Sequence, residues 1–318
     1  MGTYAPIILF VYNRPEHTKQ TVEALLRNRL AAESELYIFA DGAKEGASAD
    51  QCNRIRQVRE YISAITGFRE VHVEVSEKNK GLANSVIYGV TKVVNEQGKV
   101  IVLEDDIVTS SHFLEYMNQS LDLYEHDEDV VCIHGYSIIK DAPIREHTYF
   151  QYGADCWGWA TWKRGWDIFE PDAQKLMDTI KSDRTLLRMF TYNGTYPYLE
   201  MLQAQIDGKI DSWAVRWYAS AVIKNKLCLY PAKSLVQNIG FDSNGTHTQG
   251  GESYEASILA DETTIDFPKI AILESKIMRR EWENLFGNLH KKEKISMWTK
   301  IKRYIKRWKM YYCEERAR

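Results

Sequence analysis

Apolar runs alternate with stretches of helical periodicity through the first hundred residues. Pro6 to Tyr12 is a continuous apolar run of the kind found in a strand buried on both faces, and Asn13-Arg14-Pro15-Glu16 opens a helix with proline at an early position. The pattern predicts a helix over Thr18 to Arg29, a strand from Glu35 to Ala40 ending in Asp41-Gly42, and a helix over Asp50 to Thr66. A strand over Val71 to Val75, a helix over Leu82 to Asn95 and a strand over Val100 to Leu103 follow. Strands separated by helices imply right-handed crossovers and a mostly parallel sheet covered on both faces, with ligands bound beyond the C-terminal strand ends.

The polar residues gather at those ends. Arg14 follows the first strand, Asp41 the second, and Lys78-Asn79-Lys80-Gly81 the third. The fourth, Val102-Leu103, runs straight into Glu104-Asp105-Asp106. Three adjacent carboxylates repel one another, and a hard divalent cation that also grips a diphosphate is the simplest way to hold them in a crevice. An isolated triplet reads equally as a solvated acidic turn, and Arg14 and Asp41 taken singly read as cap and turn residues. Convergence of all four on one sheet edge favours nucleotide-sugar chemistry. No Gly-x-Gly-x-x-Gly or Walker motif is present, which argues against dinucleotide and P-loop folds.

The chain has 318 residues and a net charge of −3, ample for a large α/β core. Its five cysteines (Cys52, Cys132, Cys156, Cys228, Cys313) are scattered, with no Cys-x-x-Cys pair, so the spacing indicates neither a zinc site nor a disulfide framework. No transmembrane or signal segment is evident, and a cytoplasmic location is the expectation. Charge is unevenly spread: from His290 to Arg318 eleven Lys/Arg face three acids, so the tail carries +8 and the body −11. Wound as a helix, the tail sets Ile295, Trp298, Ile301, Ile305, Trp308 and Tyr312 on one side and Lys292, Arg303, Lys306 and Arg307 on another. This pattern fits a helix lying on an anionic membrane surface, and equally one packed on the body or on a second subunit. Nucleic acid is not an expected partner.

Tyr12-Asn13-Arg14-Pro15, Asp41-Gly42, Asn79-Lys80-Gly81-Leu82-Ala83-Asn84 and Glu104-Asp105-Asp106 resemble, in order, the signatures of GT-A-fold glycosyltransferases. The Glu-Asp-Asp form is similar to that of the inverting N-acetylglucosaminyltransferases and their bacterial relatives in surface-glycan synthesis. The resemblance spans roughly residues 5 to 250. It implies an α/β, Rossmann-like GT-A sheet, a nucleotide-diphospho-sugar donor (UDP-GlcNAc in the first instance) and Mn²⁺ or Mg²⁺. It places the metal on Asp106, the nucleotide on Arg14, Asp41 and Asn84, and ribose and sugar hydroxyls near Glu104 and Asp105. The implied organisation is a nucleotide-sugar half (1–130), an acceptor half of the same domain (131–285) and a basic amphipathic tail (286–318).

Downstream, Cys156-Trp157-Gly158-Trp159-Ala160-Thr161-Trp162 gathers tryptophans that read either as core or as a wall for sugar rings, and the resemblance places Gly158 and Trp159 beneath donor and acceptor. Ile210-Asp211-Ser212-Trp213 precedes a helix-like run, Ala214 to Lys224. Asp211 fits an N-cap, whereas the resemblance makes it the general base of an inverting transfer and puts Trp213 in the sugar pocket. The family's Trp-Asp-Asp-Trp is Ile-Asp-Ser-Trp in this chain. In the Gly-rich stretch after Gln237, the resemblance sets Gly245 and Thr246 on the pyrophosphate and His247 on the metal, and a lone loop histidine also reads as a surface residue. The acceptor expected is a glycan or lipid-linked glycan at the inner face of a membrane. A non-catalytic carbohydrate-binding protein and a sugar nucleotidyltransferase are the competing readings. The latter lacks its Gly-rich loop after the first strand.

Overall fold

The structure is a computed structural model, and it describes residues 4–240 and 267–289. Four strands, β1 (Ile7–Val11), β2 (Glu35–Ala40), β3 (Glu70–Val75) and β4 (Lys99–Glu104), alternate with three helices, α1 (Pro15–Leu26), α2 (Ala49–Ile62) and α3 (Leu82–Gln97). The elements fall where periodicity predicts them, with ends shifted by a few residues. Pro15 starts α1 three residues before the apolar period does, because its fixed φ suits the first helical turn. These strands pair in parallel in the order β3-β2-β1-β4.

The second half extends the same sheet. After β5 (Ile107–Thr109) and α4 (Phe113–Leu123) come β6 (Val130–His134), β7 (Thr148–Gln151) and β8 (Trp159–Trp162). Helices α5 (Lys163–Trp166), α6 (Ala173–Ser182), α7 (Arg184–Phe190), α8 (Tyr198–Ile206) and α9 (Trp213–Ile223) then lead to β9 (Leu227–Pro231) and β10 (Val236–Asn238). The described residues form an eight-stranded sheet in the order β3-β2-β1-β4-β8-β6-β9-β7. β8 is antiparallel to both β4 and β6, and so joins strands from either side of residue 130. A final helix, α10, covers 276–289.

Alternation along the central strands divides the core in two. Ile8, Phe10, Val100 and Val102 point to the face covered by α3, α9 and α10, where Val86, Val90, Trp217, Trp282 and Phe286 pack. Ile7, Leu9, Leu36, Ile38, Ile101 and Leu103 point to the other, under α1, α2 and α4. This is the doubly covered α/β sheet expected from the sequence. No described helix is long and apolar enough to cross a membrane. The basic segment 290–318 lies outside the described residues, as do Gly245, Thr246 and His247.

Candidate active site

The parallel strands deliver their polar groups to one edge. β4 ends at Glu104, and Asp105 and Asp106 turn the chain into β5. Arg14, at the N-terminus of α1, sends its guanidinium to this cluster: Nη1 stands 2.7 Å from Asp106 Oδ2 and 3.6 Å from Asp105 Oδ1. Burial is the leading cause that pushes the Glu104 carboxyl up to about 8, with the charges of Asp106 and Asp105 adding and Arg14 opposing. Burial likewise pushes Asp105 up to about 7, the Asp106 charge adding and Arg14 opposing. Fully ionised, three carboxylates beside one guanidinium leave two negative charges, which one divalent cation balances.

One atom fits that cation directly. Asp106 Oδ1 is buried and has no hydrogen-bond partner among the described residues, while Oδ2 is taken by Arg14. A buried carboxylate oxygen without a donor is costly unless something positive meets it. Oxygen donors suit Mg²⁺ or Mn²⁺, so the residues present fit the expected metal.

A short two-stranded sheet covers the acids. β10 pairs antiparallel with β5, and the Ile239 N–H donates to the Asp106 carbonyl at 2.9 Å. Gly240 follows, so close that a Cβ there would stand 2.1 Å from Asp106 Oδ2 and 3.1 Å from Arg14 Nη1. Gly240 therefore sits directly on the cluster.

Asp41 at the end of β2 has a role that its sequence does not announce. Its Oδ1 accepts from the backbone N–H groups of Gly42 and Lys80, both at 2.8 Å. Its Oδ2 accepts from Asn79 Nδ2 at 2.9 Å and the Gly81 N–H at 3.0 Å. These four donors use the carboxylate's acceptor sites, so in this structure Asp41 shapes the loop after β3 rather than presenting free oxygens to a nucleotide. Gly42 belongs to the same arrangement, since a Cβ on it would meet the Lys78 carbonyl carbon at 2.5 Å. Asn84, exposed in the first turn of α3, donates from Nδ2 to the Lys80 carbonyl at 2.9 Å and braces the loop from the other end. Between loop and sheet lies a narrow crevice lined by Phe39, Asp41, Ser76, Lys80, Ser85 and Tyr88. Sequence reasoning missed Phe39 and Tyr88. The signal lay in spacing, since Tyr88 stands one helical turn beyond Asn84 on the end of α3 that faces the strand termini.

Asp211 lies across from this loop: a Cβ on Gly81 would be 3.8 Å from its Oδ2. The N-cap of α9 is Ser212, whose side chain accepts from the Val215 N–H, so Asp211 is released from the capping role its position invited. Its carboxylate is half exposed and pairs with the buried Arg216 at 3.4 Å. Arg216 is itself fixed by the carbonyls of Ser212 and Pro171.

The tryptophans require a correction. Trp159 and Trp213, expected to wall a sugar pocket, are 0% and 3% exposed and stack on each other at 5.2 Å, with Trp166 and Trp217 beside them. Gly158 is buried too, its Cα facing Val236, Phe113 and Leu103. Burying an indole N–H without an acceptor is costly, and the N–H groups of Trp159 and Trp217 are unpartnered among the described residues. That cost, about 1–3 kcal/mol each, is smaller than the roughly 4–6 kcal/mol gained by burying an indole's area. The partly exposed member is Trp157, edge-on to Tyr136 at 4.5 Å. Its neighbours border the acids, because the charges of Glu104 and Asp106 add to the burial that pushes the Cys156 thiol up. Asp155, next in this loop and overlooked in the sequence, accepts from the Tyr230 hydroxyl at 2.9 Å, and burial pushes it up to about 6. A separate cavity of about 350 Å³, lined by Arg188, Asn193, Glu274 and Arg279 among others, shares no residue with this site.

The parallel strand ends converge on a carboxylate cluster whose oxygen donors suit a divalent ion, an arrangement compatible with nucleotide-sugar chemistry. Residues 2–176 match the model of the GNT-I family, a glycosyltransferase family, and the chain belongs to that family. It is a nucleotide-sugar glycosyltransferase. No curated protein matches the sequence. Among solved structures, the chain is similar to the mannosyltransferase PcManGT from Pyrobaculum calidifontis in complex with GDP-Man and Mn²⁺ (11% identity, 69% of this chain and 74% of that one, TM-score 0.36). It is also similar to UDP-glucose pyrophosphorylase complexed with UDP-glucose (11%, 71% and 90%, TM-score 0.36). A third is mouse xyloside xylosyltransferase 1 (10%, 69% and 81%, TM-score 0.35).

Proposed function

We propose that the chain is a metal-dependent inverting transferase that moves a sugar, GlcNAc from UDP-GlcNAc in the first instance, to a hydroxyl of a glycan or lipid-linked glycan. The observation that carries this reading is the orphaned, buried Oδ1 of Asp106 within a three-carboxylate cluster at a parallel strand end. Asp106 would hold the ion, and a bound Mg²⁺ or Mn²⁺ would supply positive charge to the leaving diphosphate. Asp41 and Asn84 keep the loop 79–81 in shape, so that the crevice between Phe39, Lys80 and Tyr88 can take the base or ribose. Arg14 offsets the acids, and its guanidinium would meet a phosphate of the donor.

Asp211 would take the acceptor's proton as its oxygen bonds the anomeric carbon and the bond to the nucleotide diphosphate breaks on the opposite face. Three features support it: it is half exposed, free of the cap, and held in orientation by Arg216. Trp157 replaces Trp159 as the aromatic edge offered to a sugar. A purely carbohydrate-binding role loses the support the tryptophans lent it, because Trp159 and Trp213 are core. The basic segment 290–318 suits an anionic surface, which would bring lipid-linked acceptors to the site. A chain cut after Leu289 should then lose its partition onto anionic vesicles, and equal partition of both forms refutes the membrane role.

Calorimetric titration with UDP, with and without Mn²⁺, tests the donor site. Binding that needs Mn²⁺ and disappears in Asp106→Ala is expected. Silence toward UDP, GDP, CMP and dTDP alike overturns the reading.

A further inference from the structure

A second cluster of ligand atoms is buried away from the acids. Cys132 and His134 are two residues apart on β6 and so share one face of the sheet, and Cys228 on the adjacent parallel strand β9 is the register partner of Cys132. The topology therefore turns two distant cysteines and a histidine toward one point. Cys132 Sγ is 3.0 Å from Cys228 Sγ and 3.1 Å from His134 Nε2, and all three residues are 0% exposed. The Gly153 carbonyl stands 2.6 Å from Cys228 Sγ, and Tyr230 stacks on the His134 ring at 4.4 Å and closes the site. The candidate ligand atoms all lie within 4.8 Å of one another.

We propose that Cys132, His134 and Cys228 bind one zinc ion, a structural site distinct from the acid cluster and independent of whether the chain transfers a sugar. Thiolate and imidazole donors select a borderline-soft divalent ion over the Mg²⁺ or Mn²⁺ suited to carboxylates. Charge supports the choice. On binding, each thiol releases its proton to solvent, and two thiolates, one neutral imidazole and a dication sum to zero, which is what a fully buried site tolerates. Tetrahedral zinc sets its ligand atoms about 3.5–3.8 Å apart, so Cys132 Sγ needs to move from Cys228 Sγ and from His134 Nε2 by less than about 1 Å, within reach of side-chain rotation. A Cys132–Cys228 disulfide would leave the imidazole at 3.1 Å without a part to play. The Gly153 carbonyl or a water completes four-coordination. The ion would tie β6 to β9 across the second half of the sheet.

Full-length protein, unfolded in chelator and refolded with Co²⁺ alone, tests the site. A thiolate-to-cobalt charge-transfer band at one equivalent of Co²⁺ is expected, kept in Asp106→Ala and lost in Cys132→Ala/Cys228→Ala. Protein refolded with Zn²⁺ should retain one equivalent through EDTA dialysis that strips Mn²⁺, and His134→Gln should lower that retention at least tenfold. If the cysteine variant fails to fold, the wild-type band, its stoichiometry and its survival in Asp106→Ala still decide. Absence of the band in folded wild type, or a wild-type mass lowered by the two hydrogens of a disulfide, overturns the proposal.

Discussion

At the residue scale the site is governed by atoms that are too close or too bare. Gly240 is held where a methyl group would collide with Asp106 Oδ2. Gly240→Ala should therefore push the segment off the acids and weaken Mn²⁺-dependent UDP binding by about tenfold, ~1.4 kcal/mol, in the same calorimetric titration. The acids also give the metal-free chain a pH dependence of definite sign. Folding holds protons on Glu104 up to about 8 and on Asp105 up to about 7, whereas the unfolded chain releases them in the ordinary carboxylate range. Between those limits the folded state binds more protons, so stability is present at lower pH and falls as pH rises through the window. In EDTA the melting temperature should be lower at about pH 9 than at about pH 6. Mn²⁺ should remove most of the difference, and Asp105→Asn should reduce it while leaving the part that belongs to Glu104. The presence of these acids was plain in the sequence. Their pairing with Arg14 and the bare oxygen of Asp106 were not, because a side-chain partner across ninety residues leaves no local pattern.

Among the elements, two loops do the positioning, and each hangs on one side chain. Asp41 gathers four donors from Gly42 and residues 79–81. Asp41→Asn turns acceptor positions into donors that face N–H groups. It should cost about 2–3 kcal/mol in urea unfolding and weaken nucleotide binding, with Asp41→Ala no better. Ser212→Ala removes the cap of α9 and should cost about 1 kcal/mol, and it should reduce turnover as well by loosening Asp211. Hydrophobic period alone located β1 to β4 and α1 to α3, since buried parallel strands and amphipathic helices differ in period over many residues. It could not decide which of Asp211 and Ser212 caps α9, because both residue types cap well and stand next to each other. Nor could it separate core tryptophans from pocket tryptophans: Trp157 and Trp159 are two residues apart, and Trp159 is packed by Trp166 of α5 and by Trp213 and Trp217 of α9, which arrive later in the chain.

For the molecule as a whole, α10 closes the face on which the second half is built. Met278, Trp282 and Phe286 are buried there, Trp282 against Tyr192 and Tyr230. Trp282→Ala should cost about 3–5 kcal/mol by chemical denaturation while leaving 290–318 untouched, so that effects of the basic tail and of the core can be told apart. The strand order carries a further consequence for synthesis. β4 cannot acquire its second neighbour until β8 has emerged, and β6 must wait for β9, with α4 and several helices translated in between. A nascent chain on the ribosome thus presents a finished parallel half whose open edge ends in the three acids, with the lid strand β10 still untranslated. Slow translation through the interval between β4 and β8 would prolong that exposure, and chaperone engagement should concentrate there.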